Sequence, residues 1–354
     1  MQFFREQIDA QYLKRRNKVF KKNGNDAHKA FVRWAKAITF SHLEWILLDN
    51  PKVRSSAIFP LSNGAGFNKN AEIPLTFLHH LGLDRFVIGT VTGEPWVGNP
   101  EPNIKRYTES ESMVNWMGLP GIGAELVSRT LNSQLETYGR RIPHTKPKVT
   151  INLMATPQST DQLADIEKTI RLTKDLEGVD RYELNISCPN TEGLRDYETT
   201  LKHLIETAST HKKNQLLYLK ISPDTNDPLS NDSLTSDDVD LIVSVAREFE
   251  VAGYTTTNTT RFHDPTHINT SPGKGGASGN AVYDRSLAAQ ILFHNRLADY
   301  TTGDYLTACG GINSHERLSE RLDHGAREAQ IFTPLIFQGP KLLTDLKTAE
   351  YRRK

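Results

Sequence analysis

Beyond Pro51 the chain alternates short apolar, β-prone runs with longer segments whose apolar positions recur at helical spacing. The β-prone runs cover 57–61, 85–92, 148–155, 182–188, 216–222, 253–259, 305–310 and 329–336. Helical patterns at 160–176, 237–250 and 284–297 separate several of them, and the polar segment 224–237 reads as a surface loop. Eight strands alternating with helices predict an α/β fold, a parallel sheet closed into a (β/α)8 TIM barrel, with a doubly wound open sheet as its competitor. The placement of polar residues favours the barrel. Nearly every predicted strand delivers them at its C-terminal end: Gly64, Ala65 and Lys69; Thr90 and Thr92; Asn152; Asn185 and Cys188; Lys220; Thr257, Asn258 and Thr259; Gly310 and Gly311; Phe332 and Thr333. In a closed barrel those ends converge on one mouth, where barrel enzymes build their sites.

The first 50 residues follow another pattern. Phe4, Ile8 and Tyr12 share one helical face, among seven basic residues (Arg5, Lys14, Arg15, Arg16, Lys18, Lys21, Lys22) and only two acidic ones (Glu6, Asp9). After the breaker Lys22-Asn23-Gly24-Asn25, a second helical pattern at 27–48 carries Phe31, Trp34, Ile38 and Trp45, with Asp26 as its expected N-cap. A basic, aromatic-bearing helical pair suits either an anionic membrane surface or a cap packed on the main domain with a solvated basic face. The expected organisation is a helical extension over 1–50 and a barrel over 51–354.

Composition narrows the partners. Lys plus Arg at 43 against Asp plus Glu at 42 gives no overall charge to attract a nucleic acid, and no metal is called for. Two cysteines, Cys188 and Cys309, are too few for a disulfide framework and fit a reducing compartment. No apolar run approaches the ~20 residues that span a bilayer, and the N-terminus lacks the apolar core of a signal peptide. A soluble or peripheral protein is expected.

The densest chemistry lies in YELNISCPNTEGLR, where Asn185, Ser187, Cys188 and Asn190 follow the end of an apolar strand. Amides there can hold a planar, carbonyl-rich substrate while a thiol moves a proton or attacks; a buried structural cysteine beside an Asn-Pro turn is the plain alternative. Two glycine-bearing segments, Gly275–Gly279 and Cys309-Gly310-Gly311, and the Phe332-Thr333 that closes the eighth strand stand where barrels of this kind hold a phosphate. Lys220 ends the apolar run LLYLK, where an ammonium is costly unless it meets an anion or an electron-rich ring, and Lys69 is expected across the mouth from it. Together they suggest an anionic substrate and a phosphorylated cofactor that gains negative charge on reduction.

These strings resemble the dihydroorotate dehydrogenases. From about residue 55 to 339 the chain carries GAGFNKN, GTVTGEPWVGNPEP, NWMGLP, INL, NISCPNTEGLR, LKISPD, TNTT, GGASG, CGGI and QIFTPLIFQGP in that family's order. The helical extension, NTEGLR and TNTT are most similar to the membrane-associated, quinone-using class. The resemblance implies oxidation of dihydroorotate to orotate in pyrimidine biosynthesis, through FMN, with electrons passing to a quinone on the cytoplasmic side of a membrane to which the N-terminal helices attach peripherally. It implies that Ser278, Gly279, Gly310, Gly311, Phe332 and Thr333 hold the FMN phosphate, and that Ala65, Gly66, Thr90, Asn152, Lys220 and Thr257 meet its ring and ribityl chain. Lys69, Asn115, Asn185, Asn190, Asn258 and Thr259 would grip the substrate, with Cys188 as the base at C5. The quinone-using class usually has serine at the Cys188 position, and NWMGLP looks like the soluble class, which uses fumarate or passes electrons to NAD. Asn68 stands where the family often has Asp, and Asn103 where arginine is expected. A related flavin enzyme with another acceptor or cyclic amide, and a non-catalytic flavin-binding homologue, are the alternatives.

Overall fold

The computed structural model describes residues 12, 16, 21–41, 59–186, 197–225, 230–298, 300 and 305–348. Its centre is a parallel sheet of eight strands: β1 (Leu61–Asn63), β2 (Phe86–Val91), β5 (Val149–Leu153), β6 (Val179–Asn185), β7 (Leu216–Ile221), β8 (Gly253–Thr256), β10 (Tyr305–Cys309) and β11 (Ala326–Ile331). A parallel bridge between Ser62 and Arg85 joins the first strand to the start of the second and closes the ring. The expected TIM barrel is therefore what the chain forms.

Local chemistry explains the helices around it. The helix Gln162–Thr173 starts where the Asp161 carboxylate accepts from the Ala164 N–H, and Ser236–Arg247 starts on a reciprocal capping box between Thr235 and Asp238. Their apolar faces pack on strands buried on both sides, as in any all-parallel sheet.

Four expectations need correction. The first strand begins at Leu61 and runs to Asn63, because it is held by pairing with Ala329 to Ile331; 57 and 58 lie outside the described residues. The last strand is Ala326–Ile331, and 333–336 belong to a helix, Thr333–Gln338, which Pro334 in its first turn favours. The helix α1 (Gly24–Phe40) is capped by Asn23, whose side chain accepts from the Asp26 N–H at 2.9 Å; Asp26 sits in the first turn. Gly24 is thus no breaker: a Cβ there would lie 2.6 Å from Ile104, so glycine lets the helix approach the barrel. The expected continuation of this helix to 48 lies outside the described residues beyond 41, as does most of the basic segment before it.

Two further differences come from long-range pairing. Gly276–Gly279 (β9) is a strand, antiparallel to β4 (Ser112–Asn115), which pairs in turn with β3 (Ile104–Tyr107); this small sheet stands over the mouth. Asp224, placed by composition in a surface loop, is fully buried and accepts from the Thr260 hydroxyl, the Arg261 N–H and the Arg285 guanidinium.

The closed end of the barrel is plugged by charge. Arg181 makes a two-pronged pair with Glu328, which also accepts from Thr307, and Arg85 pairs with Asp180, all at strand N-terminal ends. Arg181 also lies over the Tyr218 ring at 3.9 Å. Removing one partner of such a buried pair leaves an uncompensated charge. Glu328→Ala should destabilise the fold by roughly 3–5 kcal/mol, read as a lowered midpoint in thermal or urea unfolding.

Candidate functional site

The C-terminal ends of the barrel strands open into a cavity of about 550 Å³. Of the residues singled out in the sequence, Ala65, Gly66, Lys69, Thr90, Asn115, Asn185, Lys220, Thr257, Asn258, Thr259, Ser278, Gly279, Gly310, Gly311, Phe332 and Thr333 all line it. Cys188 and Asn190 lie outside the described residues. Asn152 does not line the cavity; it is fully buried beneath.

The reason Asn152 sits there is a buried carboxylate. Glu183, fully buried in β6, accepts from Asn152 Nδ2 at 2.7 Å, from the Thr255 hydroxyl at 2.5 Å and from Gln330 Nε2 at 2.6 Å. Lys220 Nζ lies 3.7 Å from the same carboxylate and donates to Gln330 Oε1 at 2.9 Å. Cys309 Sγ is 3.8 Å from that ammonium and also faces the cavity. Burial pulls the Lys220 ammonium down, but Cys309 and Glu183 more than restore it, and its pKa lies above the ordinary lysine value. Burial pushes the Cys309 thiol up. Lys220 therefore presents a fixed positive charge to the cavity floor. Sequence reasoning missed Glu183, Gln330 and Cys309, although an acid at an inward position of the strand YELN was a readable signal.

Lys69 differs from Lys220. It is buried at the opposite side of the lining, and no hydrogen bond or ion pair to its ammonium is found among the described residues. Burial lowers its pKa to about 8, with Glu72 pulling the other way. The Asn258 amide donates to Asn185 Oδ1 at 3.3 Å, and its own carbonyl oxygen accepts from the Thr259 N–H at 2.9 Å, so these amides form one connected wall. In the opposite corner the Ser278 and Thr333 hydroxyls are 2.9 Å apart beside Gly279, Gly310 and Gly311.

The two departures from the family pattern are structural here. Asn68 closes a reciprocal bond with the Ile73 backbone, and Asn103 takes a hydrogen bond from Asn25 of α1 at 2.8 Å. Neither lines the cavity.

A second cavity, of about 850 Å³, lies between α1 and the barrel mouth. Its walls are largely apolar: Phe31, Trp34 and Ile38 of α1, with Phe67, Ile122, Leu335 and Ile336 facing them. It shares Gly66, Lys69, Ile104, Met113, Met117 and Phe332 with the first, so the two meet at Lys69 and Phe332.

A family model described as dihydroorotate dehydrogenase matches residues 55–349. The chain belongs to the dihydroorotate dehydrogenase family. This family is flavin-dependent. A dihydroorotate dehydrogenase (quinone) of Kineococcus radiotolerans is 34% identical over 83% of this chain and 80% of its own length. One from Natronomonas pharaonis is 28% identical over 93% and 90%. Among solved structures, the dihydroorotate dehydrogenase of Eimeria tenella in complex with ferulenol superposes with a TM-score of 0.79 at 22% identity, covering 94% of this chain and 92% of that one, a likeness of fold.

The donor set fits a flavin. Asn152 Oδ1 is buried with no hydrogen-bond partner among the described residues, directly under the cavity, and the glycine corner offers the Ser278 and Thr333 hydroxyls and backbone N–H groups. Gly279 has φ +76°, and a Cβ on it would lie 2.2 Å from the Glu111 carbonyl oxygen and 2.9 Å from Thr333. Gly279→Ala in this dihydroorotate dehydrogenase family member should therefore cost roughly 1–3 kcal/mol and lower the flavin retained through purification, measured by absorbance against protein.

Proposed function

We propose that this chain oxidises dihydroorotate to orotate with FMN bound in the strand-end cavity, and passes the electrons to a quinone in the cavity under α1. The observation that carries this reading is Lys69, a buried ammonium with no hydrogen bond or ion pair among the described residues and only the coulombic pull of Glu72 against its burial, standing where the two cavities meet. A buried charge demands a partner, and a carboxylate on the substrate supplies one.

The other roles are those the family resemblance implies, supported by the cavity lining for the residues that the structure describes. Ser278, Gly279, Gly310, Gly311, Phe332 and Thr333 hold the cofactor phosphate. Ala65, Gly66, Thr90, Thr257 and Lys220 meet the rest of it, and Asn152 supports that floor from below. FMN, when bound, supplies the hydride acceptor. Lys220, pinned by Glu183 and Gln330, favours the negative charge that reduction brings. Asn115, Asn185, Asn190, Asn258 and Thr259 orient the ring of the substrate. Cys188 takes the C5 proton as hydride leaves C6; a thiol, with an unperturbed pKa of about 8.5, reaches its basic form far more readily than a hydroxyl.

The quinone assignment rests on the second cavity. Its aromatic and aliphatic walls suit an apolar ring and tail, and most of one wall is α1, part of the extension over 1–50. The barrel over 51–354 and this extension act as catalytic body and docking cap. No described helix is long and apolar enough to cross a membrane. Attachment is peripheral, through the basic N-terminal helices, on the cytoplasmic side. The cysteine base favours a second reading, in which fumarate is the acceptor.

Stopped-flow mixing separates these steps. Dihydroorotate should bleach the flavin, and Cys188→Ala should slow that bleaching by at least ~100-fold, as loss of a general base does; an unchanged rate refutes the base. Reoxidation should be fast with ubiquinone or menaquinone and slow with fumarate and NAD, and the reverse order would replace the acceptor. Lys69 adds a pH signature. Its ammonium is protonated below about 8, so orotate affinity should be flat below that pH and weaken with each unit above it. Lys69→Gln should weaken orotate binding at pH 7 and remove this dependence, followed by titrating the flavin spectrum.

A further inference from the structure

Reducing a quinone raises a demand that the substrate cannot meet. Oxidation of dihydroorotate releases one hydrogen as a proton at C5 and sends the other, with both electrons, from C6. Forming a quinol takes two electrons and two protons. The hydride equivalent brings both electrons and one proton, so the second proton must enter on the acceptor side, where the walls are mostly apolar.

Two acids line those walls: Glu101, which Lys29 pairs at 3.0 Å, and Glu72, which alone of the two borders a second pocket. Glu72 lines the acceptor cavity and also a separate pocket of about 500 Å³ between α1 and the helix Ala124–Arg141, whose lining includes Thr39, Thr76, Thr130, Ser133 and Gln134. The hydroxyls of Thr39 and Thr76 are buried and have no hydrogen-bond partner among the described residues. A pocket of about 500 Å³ lined by the hydroxyl-bearing Thr130, Ser133 and Thr137 and by the Gln134 amide has the size and polarity to hold water. On its other side Glu72 Oε1 lies 3.2 Å from His28 Nε2, and His28 lines the acceptor cavity with its side chain 36% exposed. The Asn70 N–H holds the second carboxylate oxygen at 2.5 Å. Burial works against the Glu72 carboxylate, but the His28 ring and the backbone N–H groups of Asn70 and Glu72 hold its pKa below the ordinary carboxylate range; Lys36 lines the polar pocket, and Arg16, Lys29, Lys69, Glu101 and Arg106 line the acceptor cavity.

We propose that the Glu72–His28 pair relays a proton from water in the polar pocket to the acceptor. This rests on the quinone reading above. A His28 N–H bond breaks as an O–H bond forms on the quinone oxygen, and water in the pocket passes a proton to the Glu72 carboxylate, which hands it to the imidazole. A plain ion pair between α1 and the barrel would need neither the polar pocket nor the unpartnered hydroxyls.

The test uses holoenzyme whose flavin has been photoreduced without dihydroorotate, mixed with a soluble quinone or with ferricyanide, which takes electrons and no proton. In Glu72→Gln the ratio of the quinone to the ferricyanide rate constant should fall at least about tenfold, and the solvent deuterium isotope effect on the quinone step should grow. Quinone affinity, read by quenching of Trp34 in the cavity wall, should stay within about twofold of the wild type, which separates proton delivery from altered packing. Thr76→Val, with its unfolding midpoint checked, should lower the ratio in the same direction. An unchanged ratio, or one that falls only as affinity falls, overturns the relay while leaving the acceptor reading intact. A wild-type enzyme that no quinone reoxidises overturns the acceptor reading and the relay with it.

Discussion

A single buried carboxylate organises the floor of the site. Glu183 has no access to water, and a charge so placed is tolerable only when every lone pair is engaged and a cation stands near. Asn152, Thr255, Gln330 and Lys220 supply those contacts from four other strands of the barrel. The barrel must close for these side chains to meet, and once they meet Lys220 can neither swing away nor lose its charge. The position of a cation at the cavity floor is thus a by-product of solvating Glu183 with protein.

The second constraint is the contrast between the two lysines. Lys220 is neutralised from below, whereas Lys69, at the junction of the cavities, relies on whatever binds. One cation is therefore a permanent part of the floor and the other a receptor for an anion. The acceptor cavity depends on α1, which is tied to the small sheet over the mouth by the Asn25–Asn103 pair and packed through Phe31 against Phe67 and Phe77. The chain thus builds one cavity from strand ends and a second, more apolar one against an added helix, with Lys69 and Phe332 between them.

Much of this was legible before folding. The period of the apolar runs gave eight strands, and polar residues at their C-terminal ends gave the mouth, because side-chain direction in a strand is fixed by its pleat. The boundaries were less legible. Thr333 to Ile336 is as apolar as a strand and becomes a helix because Pro334 starts one, and Gly276–Gly279, read as a loop, becomes a strand because Ser112–Asn115 offers it a ladder.

By itself the sequence determined the barrel, the lysines and amides at its mouth, and the family to which the chain belongs, since these depend on residue type and order along the chain. Only the tertiary structure decided which of those groups are compensated. That Lys220 has Glu183 while Lys69 has no hydrogen bond or ion pair among the described residues, that Asn68 and Asn103 serve the backbone and α1, and that Glu72 joins a polar pocket to an apolar one, are set by how the folded chain packs. Such contacts set local dielectric and hydrogen bonding, and those quantities have no one-dimensional signature.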